Sequence, residues 1–508
     1  MPPPSTRSVP SLRDIAEAAR AAAQAVARRR VRPSLDRSDP GSLDDTPATE
    51  QKMIYSMVPV KSLDKLGELV HPIKASPPEK PYLGIDGSHR KLEAYSLLVA
   101  VYSAAVSLVD GAYAVGVYPD TGAYPVIDAG GAPVASLAPD PGLGCRIVAT
   151  KPLIEPEVVA RVAGCDARGV GGCRAVASLG YGRGYNEATM FYENRSLLEN
   201  AALRYVLSRP TLGESGSRVL IDGPLYATPG LLAQLHAMTS SVSYVSSKKI
   251  VMAIYALSYM LTALHRLALV DNLGSRGVTV AGVVKRIHAS RLMVRAVARL
   301  QGGEALGVDT DPQLVEELVR RTGLAALPQF VHDAAIAVGP IVSVVDLGTV
   351  SRSIQAALGI DNTRNVHVYT RVARTGERLI DILDGLEKRR YLAKKSYYLV
   401  VRRRPLGYRI YRVELPIAVT EAPLTLDSEG KPVLVDNAER LRQVVDQDAA
   451  LLSEIAWLTV EPQLEAPLPV SLADRAARAA THAAARIWFQ ELDGKVTFTY
   501  ETLLEMAV

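Results

Sequence analysis

Cysteine is scarce: three in 508 residues, at 145, 165 and 173, with no C-x-x-C pair among them. An odd, widely spaced set builds neither a disulfide framework nor a structural zinc site, so a reducing, cytoplasmic setting is expected. Long apolar runs are lacking too. The best one, 250–270 (IVMAIYALSYMLTALHRLALV), carries His265 and Arg266 near its end. A bilayer core demands ~20 uninterrupted apolar residues, so this segment reads as a buried helix and no membrane association is expected. The N-terminus (MPPPSTRSVPSLRDIAEAAR) has no apolar core behind a basic start and does not read as a signal peptide. No charge sign dominates: 58 Lys and Arg against 53 Asp and Glu leave +5, too mild to mark a nucleic-acid binder by itself. The G-x-x-x-x-G-K-[ST] phosphate loop, the G-x-S-x-G elbow and H-E-x-x-H do not occur. The eight histidines and three cysteines make no ligand spacing, and the glycines of 180–186 (GYGRGYN) lack the strand–helix context of a dinucleotide site.

What remains is ordinary globular composition, 48% hydrophobic and 22% charged, which excludes a disordered, collagen-like or coiled-coil chain. The length suggests two to four structural units at ~100–200 residues each. An Ala-rich amphipathic helix is expected over 11–30, followed by a Pro/Ser/Asp-rich linker and a second break, HPIKASPPEKP, at 71–81. Strands are then expected at PYLGIDGSH, AYSLLVAVYSAAVSLVDG, AYAVGVYP, SRVLIDGPL and VTVAGVVKRI, alternating with helices such as SLLENAALRYVLSR. This alternation indicates an α/β core. The stretch from about 300 to 460 is less regular, with helices at PQLVEELVRRTG and NAERLRQVVDQDAALLSEIAWL and strands at NVHVYTRVA, SYYLVVRRR and YRIYRVELP. The last segment, PLPVSLADRAARAATHAAARIW, begins extended and becomes helical.

Four acids are candidates for chemistry. Asp86 (YLGIDGSHR) and Asp222 (RVLIDGPLY) repeat one local design, an apolar strand ending in Asp-Gly, which points a carboxylate into the crevice where α/β sheets bind ligands. Either Asp alone could simply satisfy turn amides. Glu199 lies on the border of a helix face formed by Leu197, Leu198, Ala201, Ala202 and Val206, and could equally be a solvated charge. Asp474 sits at the start of the C-terminal helix, where it could serve the helix dipole instead. Clusters of carboxylates hold hard cations such as Mg²⁺ or Mn²⁺, and two such ions ~3.5–4 Å apart serve phosphodiester cleavage. Lys285 (GVVKRIH) follows another strand and could neutralise a phosphate. The basic, tyrosine-studded stretch 387–412 includes Lys394, Lys395, Arg402, Arg403, Arg404 and Arg412, with Tyr397 and Tyr398 among its rings. It suits phosphates and unpaired bases, or else a solvated sheet face with tyrosines packed beneath. The run ARRRVRPSLDR (27–37) is a second candidate phosphate contact.

In order along the chain, I-D-G-S (85–88), Arg195-x-x-x-Glu199, I-D-G-P-L (221–225), G-V-V-K-R (282–286), R-V-E-L-P (412–416) and P-L-P-V-S-L-A-D (467–474) resemble the NurA nuclease family of archaeal and bacterial DNA-end-processing nucleases. The resemblance implies an RNase H-like α/β core, a mixed sheet flanked by helices, with a large α+β insertion before the C-terminal helix. The implied units are an N-terminal helix and linker (1–75), a nuclease core (76–300), an accessory lobe with basic strands (301–460) and a C-terminal helix completing the core (461–508). It implies Mn²⁺- or Mg²⁺-dependent cleavage of single- and double-stranded DNA. The expected polarity is 5′ to 3′, with single-strand endonuclease activity. The implied setting is double-strand-break end resection in homologous recombination, as a homodimer working with a HerA-type hexameric ATPase. By position, Asp86, Glu199 and Asp222 match the family's metal-binding acids. Asp474 falls where the family often carries His, and His482 is the fallback. Lys285 and Arg402–Arg404 are the expected DNA contacts. Two other readings stay open: a non-catalytic DNA-binding or scaffolding subunit of the translocase complex, and an RNase H-like nuclease acting on RNA or hybrids.

Overall fold

The computed structural model describes residues 54–94, 97–107, 113–118, 187–209, 215–226, 247–288, 290–300, 307–322, 334–359, 379–403, 407–418, 420–435, 437–459, 466–494 and 497–507, with isolated positions at 212, 235 and 239. Twelve strands are described: β1 (Ile54–Met57), β2 (Val70–Lys74), β3 (Tyr82–Ala94), β4 (Leu97–Ser107), β5 (Tyr113–Tyr118), β6 (Arg218–Asp222), β7 (Thr279–Val284), β8 (Ala334–Asp346), β9 (Tyr391–Arg403), β10 (Gly407–Pro416), β11 (Leu424–Leu426) and β12 (Pro432–Leu434). The helices are α1 (Glu187–Ser208), α2 (Ser247–Gly274), α3 (Leu292–Ala298), α4 (Asp311–Arg321), α5 (Leu347–Leu358), α6 (Leu379–Arg389), α7 (Ala438–Trp457), α8 (Leu468–Leu492) and α9 (Tyr500–Ala507).

Ten strands form one mixed sheet in the order β1-β8-β9-β10-β7-β6-β3-β4-β5, with β2 also paired to β8; β11 and β12 make a separate hairpin. Its centre is parallel: β3 pairs with β6 and β6 with β7. Strands covered on both faces read as continuous apolar runs rather than alternating ones, and VLI of β6 and VAGVV of β7 are buried throughout. On one side β4 and β5 continue the sheet antiparallel, and on the other β10, β9 and β8 do so.

Residues 301–460, expected as an accessory lobe, supply β8, β9 and β10 to this same sheet. Val413 of β10 lies opposite Val283 of β7, so the sheet runs straight across the boundary expected at 300. Likewise β1 and β2, in the segment expected as helix and linker, pair with opposite halves of β8. β8 itself is not anticipated from the sequence. Its run AAIAVGPIVSVVD is interrupted by Gly339 and Pro340, which read as punctuation. The register slips between Val338 and Ile341 there, with Gly339 at φ 149°, and the strand resumes beyond. The apolar run over 250–270 is part of α2, packed on α1: Asn200 Nδ2 donates to the Thr262 carbonyl at 3.1 Å. No helix among the described residues is long and apolar enough to cross a membrane. The expected elements over 11–30, PEVVARVA and NVHVYTRVA, and all but Leu235 of PGLLAQLHAM, lie outside the described residues.

α8 approaches the sheet unusually closely. An added Cβ at Gly84 would stand 2.0 Å from the Pro469 carbonyl oxygen. Ser107 of β4 donates its Oγ–H to that same carbonyl at 2.6 Å and accepts from Gly84 N–H at 3.1 Å. Two strand periods on, Ser103 Oγ donates to the Ala477 carbonyl at 2.6 Å. Ala473 and Ala477 pack on Ala105 between these two fastenings. Small side chains let helix and sheet backbones meet, and the serines satisfy groups that would otherwise be buried unpaired. Gly84→Ala therefore forces α8 away from β3; a loss of about 1–3 kcal/mol in chemical denaturation is expected, as for other overpacked cores.

Candidate active site

The register of the parallel centre sets the site. Ile85 lies opposite Ile221, so the next residue on each strand is an aspartate, Asp86 beside Asp222. Asp222 also pairs with Val283, two residues before Lys285. Pleating turns Gly84 and Asp86 to one face, the face on which α8 lies. α8 delivers Asp474 from above. The side-chain oxygens of Asp86, Asp222 and Asp474 lie within 4.8 Å of one another. Four far-separated stretches of sequence thus meet at one place, with Lys285 supplying the fourth group.

Glu199 arrives differently. The next position on β3, Gly87, faces α1: an added Cβ there would meet Arg195 Cγ at 2.4 Å and Glu199 Oε1 at 3.0 Å. Glu199 therefore reaches the strand from the opposite face and is not one of the three converging carboxylates. It is buried, 2% exposed, and held by two arginines. Arg266 donates to its Oε2 at 2.7 Å, and Arg195 Nε stands 3.3 Å from its Oε1. Arg266 also binds Asn200 Oδ1 at 2.7 Å and the Ser196 carbonyl at 3.1 Å, which pins it to α1.

Three like charges this close repel strongly unless compensated. Lys285 Nζ lies 2.7 Å from Asp222 Oδ2, and Arg478 Nε donates to Asp474 Oδ1 at 2.7 Å. Among the described residues Asp86 has no ion pair of its own, and it accepts the Gly87 N–H at 2.7 Å. Its pKa is accordingly raised well above the usual carboxylate range, first by burial, then by the charge of Asp222, the bond to Asp474, and the charges of Glu199 and Asp474. Burial opposes the charge of Lys285, but Asp222, Asp474 and Asp86 outweigh it and raise its pKa. An all-oxygen, carboxylate-rich group with an excess of negative charge suits a hard divalent cation such as Mn²⁺ or Mg²⁺, and Asp86, Asp222 and Asp474 would be its ligands.

His482, eight residues beyond Asp474, is turned elsewhere: its Nδ1 meets Arg90, whose guanidinium also binds the Glu505 carbonyl at 3.0 Å. Of the expected DNA contacts, Lys285 lies in the site. Arg402 and Arg403 end β9 opposite Tyr408 and Gly407; their side chains, and Arg404 altogether, lie outside the described residues, as does 27–37. Elsewhere in the basic stretch, charge goes inward. Lys394 and Arg412 bind Glu414 at 2.7 and 2.9 Å, and Lys395 binds Asp448 at 2.7 Å. Tyr397 and Tyr398 are fully buried, their hydroxyls bonded to Asp448 and Asp311. These residues are a satisfied interior and not a phosphate surface. Two participants escape a reading of the sequence: Arg478, signalled only by its i+4 spacing from Asp474, and Arg266, signalled by a charge within an apolar helix.

The NurA domain family model matches residues 80–478. The chain is similar to the crystal structure of the NurA nuclease from Sulfolobus solfataricus, at 10% identity over 86% of this chain and 91% of that one, with a TM-score of 0.34. A crystal structure of NurA with manganese gives 10% identity, 86% and 95% coverage and a TM-score of 0.34. NurA bound to dAMP and manganese gives 11%, 80% and 86%, and 0.25. No curated protein sequence matches the chain. The family assignment rests on the family model.

Asp86 binds its proton more tightly in the folded chain than at its ordinary value of 3.8. In chelator, its contribution to stability is then complete below that pH and is lost as pH rises through the folded pKa. Asp86→Asn removes the penalty. Its melting temperature should exceed that of the wild type at pH 7–8, and the gap should close toward pH 4.

Proposed function

The chain belongs to the NurA family, and from that premise we propose that it is a metal-dependent deoxyribonuclease. The observation that carries this reading is the convergence of Asp86, Asp222 and Asp474, with Lys285 among them, where the parallel pairing of β3, β6 and β7 stops. The order β5-β4-β3-β6-β7, with β4 antiparallel and a helix carrying Glu199 between β5 and β6, supports an RNase H-like core for that site. We propose that 76–300 and 461–508 together make this nuclease unit.

Divalent metal bound by the three aspartates supplies charge stabilisation at the scissile phosphate and a more acidic attacking water. The chain's own groups do the rest. Lys285, held protonated by its acidic surroundings, binds a non-bridging phosphate oxygen and steadies Asp222. Arg478 neutralises Asp474 until substrate arrives and then offers its half-exposed guanidinium to the adjacent phosphate. Glu199, fixed by Arg266 and Arg195, adds negative potential behind Asp86. Arg402, Arg403 and Arg404 extend the phosphate track. The family resemblance supplies the finer reading: 5′ to 3′ degradation of single- and double-stranded DNA with single-strand endonuclease activity, in break resection. It also supplies homodimerisation, a HerA-type ATPase partner and cytoplasmic location. The absence of a phosphate loop from these residues fits a nuclease that relies on another protein for ATP-driven movement.

End-labelled DNA incubated with Mn²⁺, Mg²⁺ or chelator tests the reading. Cleavage should require a divalent ion, and Asp86→Ala should lower it more than about 100-fold while leaving DNA affinity in chelator within about twofold. Metal-independent binding without cleavage by the wild type would favour the scaffolding alternative. Preferential cleavage of matched RNA or hybrid would favour the other.

A further inference from the structure

Glu414 is completely buried, 0% exposed, inside a sheet and yet charged on both sides. Its Oε1 accepts from Arg412 Nε at 2.9 Å. Its Oε2 accepts from Lys394 Nζ at 2.7 Å and from the backbone N–H of Leu225 at 2.9 Å. Lys394 Nζ donates as well to the Tyr226 carbonyl at 2.9 Å. Two of these five bonded groups belong to the segment that leaves β6 immediately after Asp222.

That segment crosses over β7 to get there. Gly223, at φ 101°, donates its N–H to the Val283 carbonyl at 2.9 Å. The chain then passes directly over Gly282, where an added Cβ would stand 2.4 Å from Leu225 N and 2.8 Å from the Gly223 carbonyl oxygen. Gly282 is the β7 residue opposite Glu414. The turn is thus drawn over a gap in one strand and gripped by a charged cluster on the next. Arg412 NH1 carries the cluster on to Ser290 Oγ at 2.7 Å, and Ser290 Oγ to Asp311 Oδ2 at 2.6 Å, so its far end is anchored in α4. A buried ion cluster is a poor source of net stability, because desolvation offsets the attraction; its worth lies in specifying one geometry.

We propose that Glu414, with Lys394 and Arg412, is a positioning residue for Asp222, acting through the 223–226 turn to hold that carboxylate at the spacing the metal requires. The inference rests on the metal-site reading above. It assigns to the R-V-E-L-P strand a task at the catalytic centre in place of one at the DNA surface.

The test is Mn²⁺ affinity of the purified full chain without DNA, by calorimetry or by the loss of free-ion electron paramagnetic resonance signal. Glu414→Gln keeps an acceptor for Leu225 but removes the carboxylate charge that faces Lys394 and Arg412. A second variant, Lys394→Met with Arg412→Met and Glu414→Leu, removes the cluster while keeping an apolar interior that can fold. Both should bind Mn²⁺ about 10–100-fold more weakly than the wild type, as for other groups that orient a metal ligand. The triple variant should do so with a melting temperature near that of the wild type. Wild-type affinity in either folded variant would overturn the proposal, and so would failure of both to fold, which would make the cluster structural. A wild type that binds Mn²⁺ no better than Asp86→Ala would instead remove the metal-site reading itself.

Discussion

Repulsion among converging carboxylates is the constraint around which the centre of this protein is arranged. Asp86, Asp222 and Asp474 meet in one place with Glu199 behind them. Each of the last three has its own cation, in Lys285, Arg478 and the pair Arg195 and Arg266. Asp86, without an ion pair of its own among the described residues, has its pKa raised by burial and by the repulsion that remains. Three of the four carboxylates are thus paired with cations, and Asp86 is the one left uncompensated.

Holding such groups together takes rigid placement, because each would separate if its support gave way. The supports differ in kind. Asp86 is set by strand register alone. Asp222 is set by register and by a turn that the next strands grip. Asp474, nearly four hundred residues along, depends on the closeness of α8 to the sheet, which Gly84, Ser103, Ser107 and the alanines permit. Glu199 depends on an arginine contributed by a neighbouring helix.

How much of this the sequence discloses follows from how local each cause is. Asp222 is legible because an apolar strand ending in Asp-Gly announces both the strand and its exit; Asp86 carries the same motif, but β3 does not end there and runs on through Gly87 to Ala94. The buried helix around 250–270 is legible from its own residues. The inward charges of β9 and β10 are not: Lys394, Lys395 and Tyr397 look like a nucleic-acid surface until Glu414 and Asp448 are placed against them, and nothing near the lysines signals those partners. β8 is hidden by a Gly-Pro pair that marks a turn in most settings and here marks a slip in register. The expectation of an accessory lobe over 301–460 has a related origin. Irregular spacing along the chain suggests a separate unit, whereas Val413 and Val283 join the strands into one sheet.

Beyond β8 that sheet ends, among the described residues, in two short strands that share its far side, four residues of β1 against one half and five of β2 against the other, with a helical turn over Leu63–Leu69 between them. A thirteen-residue apolar strand left bare would offer a long template to any unfolded neighbour. Divided between two brief partners, it presents outward, among the described residues, only short and offset fragments, which make a poor template for another chain. The rim farthest from the carboxylates thereby guards the molecule against aggregation.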